Sequence, residues 1–378
     1  MAKHTIDELR QWQALPLNLK IRMTEERIRM WVRNYGEDGV YVSFSGGKDS
    51  TVLLDIVRRR MGYTDVPAVF VDTGLEYPEI RDFVKTFDNV VWLKPKMQFR
   101  KVIEKYGYPM FSKENSLYIR QCQNPTEKNQ TTRNLRLNGI RSDGVKVQKG
   151  QIPKSLQFMV NAPFKISEQC CDEMKKKPLH KATKEMGRFP MTAEMAHESR
   201  LRTQKWLENG CNGYQLTIPK STPMAFWTEQ DVLQYIRNNA KVMVEYRKER
   251  FESKLDWTEE EYEAEYANGE WGAICSVYGD IVTDESKAQN CDGQLEFTEK
   301  GICESTTILK TSCMDRTGCM FCGFGCHLEK EGEGRFEKMK VTHPKQYEWI
   351  MRDWDKGGLG YKKVIDWINE HGNLNIRY

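Results

Sequence analysis

The stretch Tyr41–Arg60, YVSFSGGKDSTVLLDIVRRR, decides the fold. Val40–Phe44 is apolar and short, as a buried strand is. Ser45-Gly46-Gly47-Lys48-Asp49-Ser50 follows, and then a run with Val52, Leu53, Ile56 and Val57 on one helical face. A strand, a glycine turn and a helix start make an anion site: glycines allow close backbone approach, and free N–H groups at the helix start point at the ligand. Ser45 and Ser50 add hydroxyls and Lys48 adds a charge. A Walker loop needs an upstream glycine and a Ser or Thr after the lysine. Neither is present, because Asp49 follows Lys48. The competing reading is a Gly-Gly connector with no ligand.

Outward from the loop, the pattern repeats. Thr24–Tyr35 reads as a helix with Thr24 as its N-cap, Thr51–Arg60 as a helix closed by Gly62, and Ala68–Asp72 as a strand. Glu79–Phe87 is a helix opened by Pro78, and Val90–Pro95 a third strand. This alternation predicts an α/β fold, a parallel sheet with helices on both faces. Further on, Trp227, Thr228 and Val232 open a helix, Ala273–Val282 is strand-like, and Tyr347–Trp354 and Tyr361–His371 are helical runs. Asp256–Glu270 reads as an exposed acidic helix. The expected organisation is a nucleotide-binding domain over 1–239, an insertion over 240–310, and a cysteine-motif and helical region over 311–378.

The chain has 378 residues and a net charge of +4, which neither demands nor excludes nucleic acid. No run reaches transmembrane length, and MAKHTIDELRQWQ lacks a signal-peptide core, so a soluble cytoplasmic protein with no membrane partner is expected. In that compartment 11 cysteines point to metal or redox work rather than disulfides. Thr131–Lys154 is rich in basic residues with one acid, Asp143, and reads either as a solvated surface or as a substrate-facing loop.

The SGGKDS loop resembles the signature of the PP-loop superfamily of ATP pyrophosphatases (adenine nucleotide alpha-hydrolase-like) and sulfonucleotide reductases, the phosphoadenosine phosphosulfate (PAPS) reductase family. VFVDTGLEYPEI resembles the second reductase element. The resemblance implies an ATP or related adenine-nucleotide site made by Ser45, Gly46, Gly47, Lys48, Asp49 and Ser50 with Asp72, Thr73 and Gly74, and Mg²⁺ accompanying ATP. AEMAHESRLR resembles the segment carrying the substrate-binding arginine, which puts Arg200, with Arg202 beside it, in a catalytic role next to Lys48.

Cys170-Cys171 and Cys319-x-x-Cys322 resemble the CC…CxxC of iron–sulfur adenylylsulfate reductases, and KKKPLHKA resembles the segment that follows it there. Adjacent cysteines fit separate corners of a four-iron cluster better than one tetrahedral zinc. A 4Fe–4S cluster on Cys170, Cys171, Cys319 and Cys322 is therefore expected. The alternatives are zinc on Cys313, Cys319, Cys322 and Cys326, and free structural thiols. Cys122, Cys211, Cys275, Cys291 and Cys303 read as packing residues.

The reductases carry a catalytic cysteine on a C-terminal tail, whereas the last cysteine here is Cys326. Nucleotide-activating sulfur transfer, forming AMP and pyrophosphate, is therefore the expected enzymatic function. Its partners would be a sulfur or electron donor protein and a polyanionic acceptor such as nucleic acid. A sulfite-forming reductase using Cys326 and a non-catalytic nucleotide sensor are the alternatives.

Overall fold

In the computed structural model the described residues are 3–251, 272–284, 297–298, 301–302 and 308–378. The acidic stretch Asp256–Glu270, Cys291 and Cys303 lie outside them. The chain divides into two compact units. The first comprises residues 1–72, 76–93 and 179–317, and the second 73–75, 94–178 and 318–378. The region expected as one nucleotide domain thus contributes to both.

The first unit is built on a six-stranded sheet. Its strands are β1 (Val40–Ser43), β2 (Ala68–Val71), β3 (Val90–Leu93), β5 (Phe189–Met191), β6 (Asn212–Gly213) and β7 (Lys220–Ser221), in the order β3-β2-β1-β5-β7-β6. All neighbours are parallel except β6, which runs antiparallel on the edge of β7. Val40, Val42 and Ala68 are fully buried, which explains why β1 and β2 read as continuous apolar runs. The expected α/β class and mainly parallel sheet are what the chain forms.

Three local expectations need correction. The first long helix starts after Pro16 and runs Leu17–Tyr35, so Thr24 does not cap it. Thr24 is instead buried inside it, accepting a hydrogen bond from Trp227 Nε1 at 2.8 Å. The helix after the glycine loop starts earlier than expected, at Lys48, and from Ile56 to Arg60 continues as a π-turn. In Ala273–Val282 only Ile281 and Val282 are in a strand, Ile281–Thr283, paired antiparallel with Leu309–Thr311; Ser276–Tyr278 is a 3₁₀ turn. The helix after Trp227 runs Glu229–Phe251, its start fixed by Asp231, which accepts from the Thr228 N–H at 2.7 Å and pairs with buried Lys20 at 2.7 Å.

The second unit holds helices Phe99–Tyr106, Lys113–Gln123, Gln130–Asn138, Arg335–Thr342, Pro344–Met351 and Tyr361–Gly372. Its short strand β4 (Met110–Phe111) pairs in parallel with Gly323–Phe324. Tyr361 is fully buried and donates to the Phe321 carbonyl at 2.7 Å, tying the last helix to the cysteine loop.

Candidate functional site

The glycine loop leaves the carboxyl end of β1 beside the carboxyl end of β2, where open α/β sheets place ligands. Gly46 has φ +70°, and a Cβ there would lie 2.7 Å from Val84 and 2.9 Å from Ile80, so glycine is required on both grounds. The two serines brace the turn. Their hydroxyls are 3.0 Å apart, Ser50 Oγ donates to the Gly47 carbonyl at 2.9 Å, and the Ser45 N–H donates to Ser50 Oγ at 3.2 Å.

Lys48 is 2 % exposed. Its ammonium donates to the Asp315 carbonyl at 2.8 Å and pairs with Glu229 at 3.1 Å. Its backbone N–H donates to the Tyr278 hydroxyl at 3.2 Å, and that hydroxyl also bonds Thr317 Oγ1 at 2.5 Å. Asp49 Oδ1 is 3.8 Å from the Lys48 ammonium and has no hydrogen-bond partner. Burial pushes the Asp49 carboxyl up, against the pull of Lys48, Arg316 and Arg202; Glu229 pushes with it. A buried lysine, two carboxylates and two arginines therefore converge on the loop.

Asp72 stands at the end of β2, 7 % exposed, and accepts from Arg81 at 2.9 Å. Thr73 and Gly74 fall in the second unit, where Thr73 Oγ1 accepts from the Leu75 N–H at 3.2 Å. Arg200 is exposed at the first position of helix Arg200–Asn209. Arg202, two residues on, pairs with Glu198 and is the arginine of this segment whose charge reaches Asp49. Sequence reading missed Tyr278, Glu229, Asp315, Arg316 and Thr317, because nothing local to them announces a contact with residues 45–50.

The second site lies wholly within the second unit. Cys170, Cys171, Cys319 and Cys322 line one pocket with Leu75, Phe99 and Lys175. One short segment, Tyr108–Phe111, aligns both cysteine pairs. Tyr108 bridges in parallel to Ile166, just before Cys170, and Met110 pairs with Gly323, just after Cys322. Both contacts demand glycine. A Cβ on Gly107 would lie 2.4 Å from the Lys165 carbonyl, and one on Gly323 would lie 2.4 Å from Met110 Sδ. A π-turn, Asp172–Lys176, follows the cysteine pair directly. The Arg335 guanidinium donates to the Cys322 carbonyl at 2.8 Å.

A hydrogen bond from Cys170 is the main cause holding the Cys171 thiol down at about 6, with Lys113 and Lys175 adding to it; the same contact, with burial, pushes Cys170 up. Among the described residues no three His, Cys, Asp or Glu side chains are set to hold a single metal ion. Cys326 is 3 % exposed, and burial pushes its thiol up to about 12. Cys313, grouped with it in the zinc alternative, belongs to the first unit and is exposed there. Cys122, Cys211 and Cys275 are buried. Among the described residues no helix is long and apolar enough to cross a membrane.

Comparison with known proteins bears on part of this chain. Two Methanocaldococcus jannaschii proteins, both described as uncharacterized, are similar to it. One is 40 % identical over 82 residues, 20 % of this chain and 18 % of the relative. The other is 39 % identical over 75 residues, 18 % of this chain and 15 % of the relative. The matched stretch thus spans less than a fifth of either relative's length. A solved structure of phosphoadenylyl-sulfate (PAPS) reductase from Candida auris, in complex with phosphate, resembles the chain at 16 % identity and a TM-score of 0.32, over 63 % of this chain and 88 % of that one. The phosphoadenosine phosphosulfate reductase domain family matches residues 39–146. That stretch holds Ser45–Ser50 and Asp72–Gly74 and ends before Cys170, so the part of the chain that is similar to the PAPS reductase domain is the part that carries the glycine loop.

Proposed function

We propose that this protein is an enzyme that binds ATP or a related adenine nucleotide at Ser45–Ser50 and uses it to activate an acceptor for sulfur transfer. The observation that carries this reading is Lys48: a lysine 2 % exposed at a glycine turn, with Asp49 and Glu229 beside it. The ammonium and the loop N–H groups suit the β- and γ-phosphates. Asp49, with an orphaned buried oxygen, and Glu229 are oxygen ligands of the kind Mg²⁺ takes. An acceptor oxygen would attack the α-phosphorus, and the bond to the β-phosphate oxygen would break, releasing pyrophosphate. A sulfide sulfur would then attack the adenylated acceptor and displace AMP, which leaves with the acceptor oxygen. The residues here position the reactants and neutralise the leaving charge.

Cys170, Cys171, Cys319 and Cys322 supply four thiols to one pocket, the donor set a 4Fe–4S cluster takes. When bound, such a cluster supplies an electron-rich iron–sulfide centre able to deliver sulfur or electrons. Arg335 and β4 fix the loops that carry the ligands.

The second reading is a sulfonucleotide reductase releasing sulfite. It needs a thiol that reaches substrate and then a reducing partner, and Cys326, the expected nucleophile, is buried. Its candidate is the exposed Cys313, in the first unit with the loop. The test incubates anaerobic protein with ATP, sulfide and pooled RNA or DNA, and in parallel with each sulfonucleotide plus thioredoxin. Lys48-dependent pyrophosphate and AMP support sulfur transfer. Sulfite without pyrophosphate establishes the reductase, and bound nucleotide with no product establishes a sensor.

A further inference from the structure

The stretch Lys128–Lys154 carries seven lysines and arginines against one acid, Asp143. The whole chain nets only +4, so the rest of it is net negative. Thr131–Lys154, expected either as a solvated surface or as a substrate-facing loop, belongs to an ordered module within the second unit. Helix Gln130–Asn138 ends on Gly139, φ +71°, and turns into a hairpin in which Ile140 faces Lys146. The Val147 N–H donates to the Gly139 carbonyl at 2.7 Å and the Arg141 N–H to the Val145 carbonyl at 3.0 Å. The return strand is sewn to the helix by Ile152 N–H to the Arg136 carbonyl, 2.8 Å, and by Gln151 Nε2 to the Leu137 carbonyl, 2.9 Å.

One arginine is structural. Arg136 donates to the Gly150 carbonyl at 2.8 Å and to Gln121 at 2.9 Å, and lies over the Tyr118 ring. Arg141 shares an exposed pair with Asp143. Lys128, Arg133, Lys146, Lys149 and Lys154 have no carboxylate within ion-pair distance among the described residues, and Arg133 Nε is buried with no hydrogen-bond partner. The helix presents donors at a helical repeat. Gln130, Arg133, Asn134 and Asn138 line one open polar concavity, together with Arg141 and Ser142 from the hairpin. Guanidinium, amide and hydroxyl donors with unneutralised charge are the groups that bind phosphodiesters.

We infer that this helix–hairpin face holds a nucleic acid strand through its phosphates. The inference rests on the sulfur-transfer reading for the strand's role as acceptor, and on the face alone for binding. Its affinity is sequence-independent and salt-dependent, because each neutralised phosphate releases counterions.

The test is fluorescence anisotropy of the full chain with labelled single-stranded RNA, single-stranded DNA and duplex DNA of one sequence, from 50 to 200 mM salt. R141Q/K146Q/K149Q changes three exposed residues and leaves the hairpin hydrogen bonds in place; R133Q tests the concavity separately. Binding of the triple variant should weaken at least tenfold at 50 mM salt, and the slope of log K against log salt should shrink by about two to three. The control K101Q/K338Q/K340Q, exposed elsewhere in the same unit, should bind as wild type. No binding by wild type to any of the three nucleic acids, or equal loss in the control, overturns the proposal. So does retention by anionic lipid vesicles without binding to oligonucleotides. Calorimetry with ATP is run alongside: ATP binding with no oligonucleotide binding sinks this inference and leaves the loop reading standing, and the reverse separates them the other way.

Discussion

The backbone N–H of Lys48 donates to the hydroxyl of Tyr278, 3.2 Å away. A tyrosine from the 3₁₀ turn Ser276–Tyr278 therefore sits on the donor that a nucleotide phosphate would use, with Thr317 holding it there. Tyr278→Phe removes the hydroxyl and keeps the ring, at a cost of about 0.5–1.5 kcal/mol in folding stability. With the competing acceptor gone, ATP should bind several-fold tighter by calorimetry. Weaker binding would show instead that the hydroxyl contacts the nucleotide.

Lys48→Ala deletes a charged donor from a buried position. The expected loss is about 1.5–3 kcal/mol of nucleotide affinity. Isothermal titration with ATP and with adenylylsulfate reads it. Equal affinity of wild type and variant for both ligands would remove Lys48 from the site.

Gly323→Ala places a Cβ 2.4 Å from Met110 Sδ and 2.6 Å from the Pro109 carbonyl, so the β4 pairing must open. Iron and sulfide measured in anaerobically prepared protein should fall in this variant, as in Cys171→Ser, and should persist in Cys122→Ser, whose thiol is buried away from the pocket. Stoichiometric zinc without iron or sulfide in the wild type would replace the cluster with zinc. Iron retained in Gly323→Ala would mean that strand pairing does not set the ligand geometry.

Thiol accessibility separates the two reductase candidates. Cys326 is buried and its thiol is pushed up to about 12, so below that pH it stays protonated as well as covered. A maleimide at pH 7.5 should label Cys313 in the native protein and leave Cys326 until denaturant is added, as peptide mass spectrometry would show. Should sulfite appear with a sulfonucleotide and thioredoxin, it should vanish in Cys313→Ser and survive in Cys326→Ser.

The loop was legible because its signal is local: strand, glycines and helix start are adjacent, and the burial of Val40, Val42 and Ala68 agrees with their pattern. The helix start at Leu17 was missed because Thr24 looks like a cap, and only the distant Trp227 indole explains its burial. Helix Gln130–Asn138 is not legible as a helix for a physical reason. It buries no residue, so it carries no apolar period to detect. Tyr278 and Asp315 approach Lys48 from far along the chain, a long-range pairing that no window of sequence contains. Cys170, Cys171, Cys319 and Cys322 were grouped from resemblance, while the segment that aligns them, Tyr108–Phe111, left only Gly107 and Gly323 as traces.

That alignment has a consequence for biogenesis. Residues 179–317 between the two cysteine pairs belong to the first unit, so the four thiols meet only after that long excursion has closed on itself. Closure cost grows slowly with loop length, about 0.6 kcal/mol per doubling, so the excursion can lengthen without weakening the site much. Its cost falls on timing. A nascent chain displays Cys170 and Cys171 well before Cys319 is synthesised, as two thiols with no partners. Insertion of the proposed cluster would then be a late event, and a chain stalled within the excursion would present only two of the four thiols.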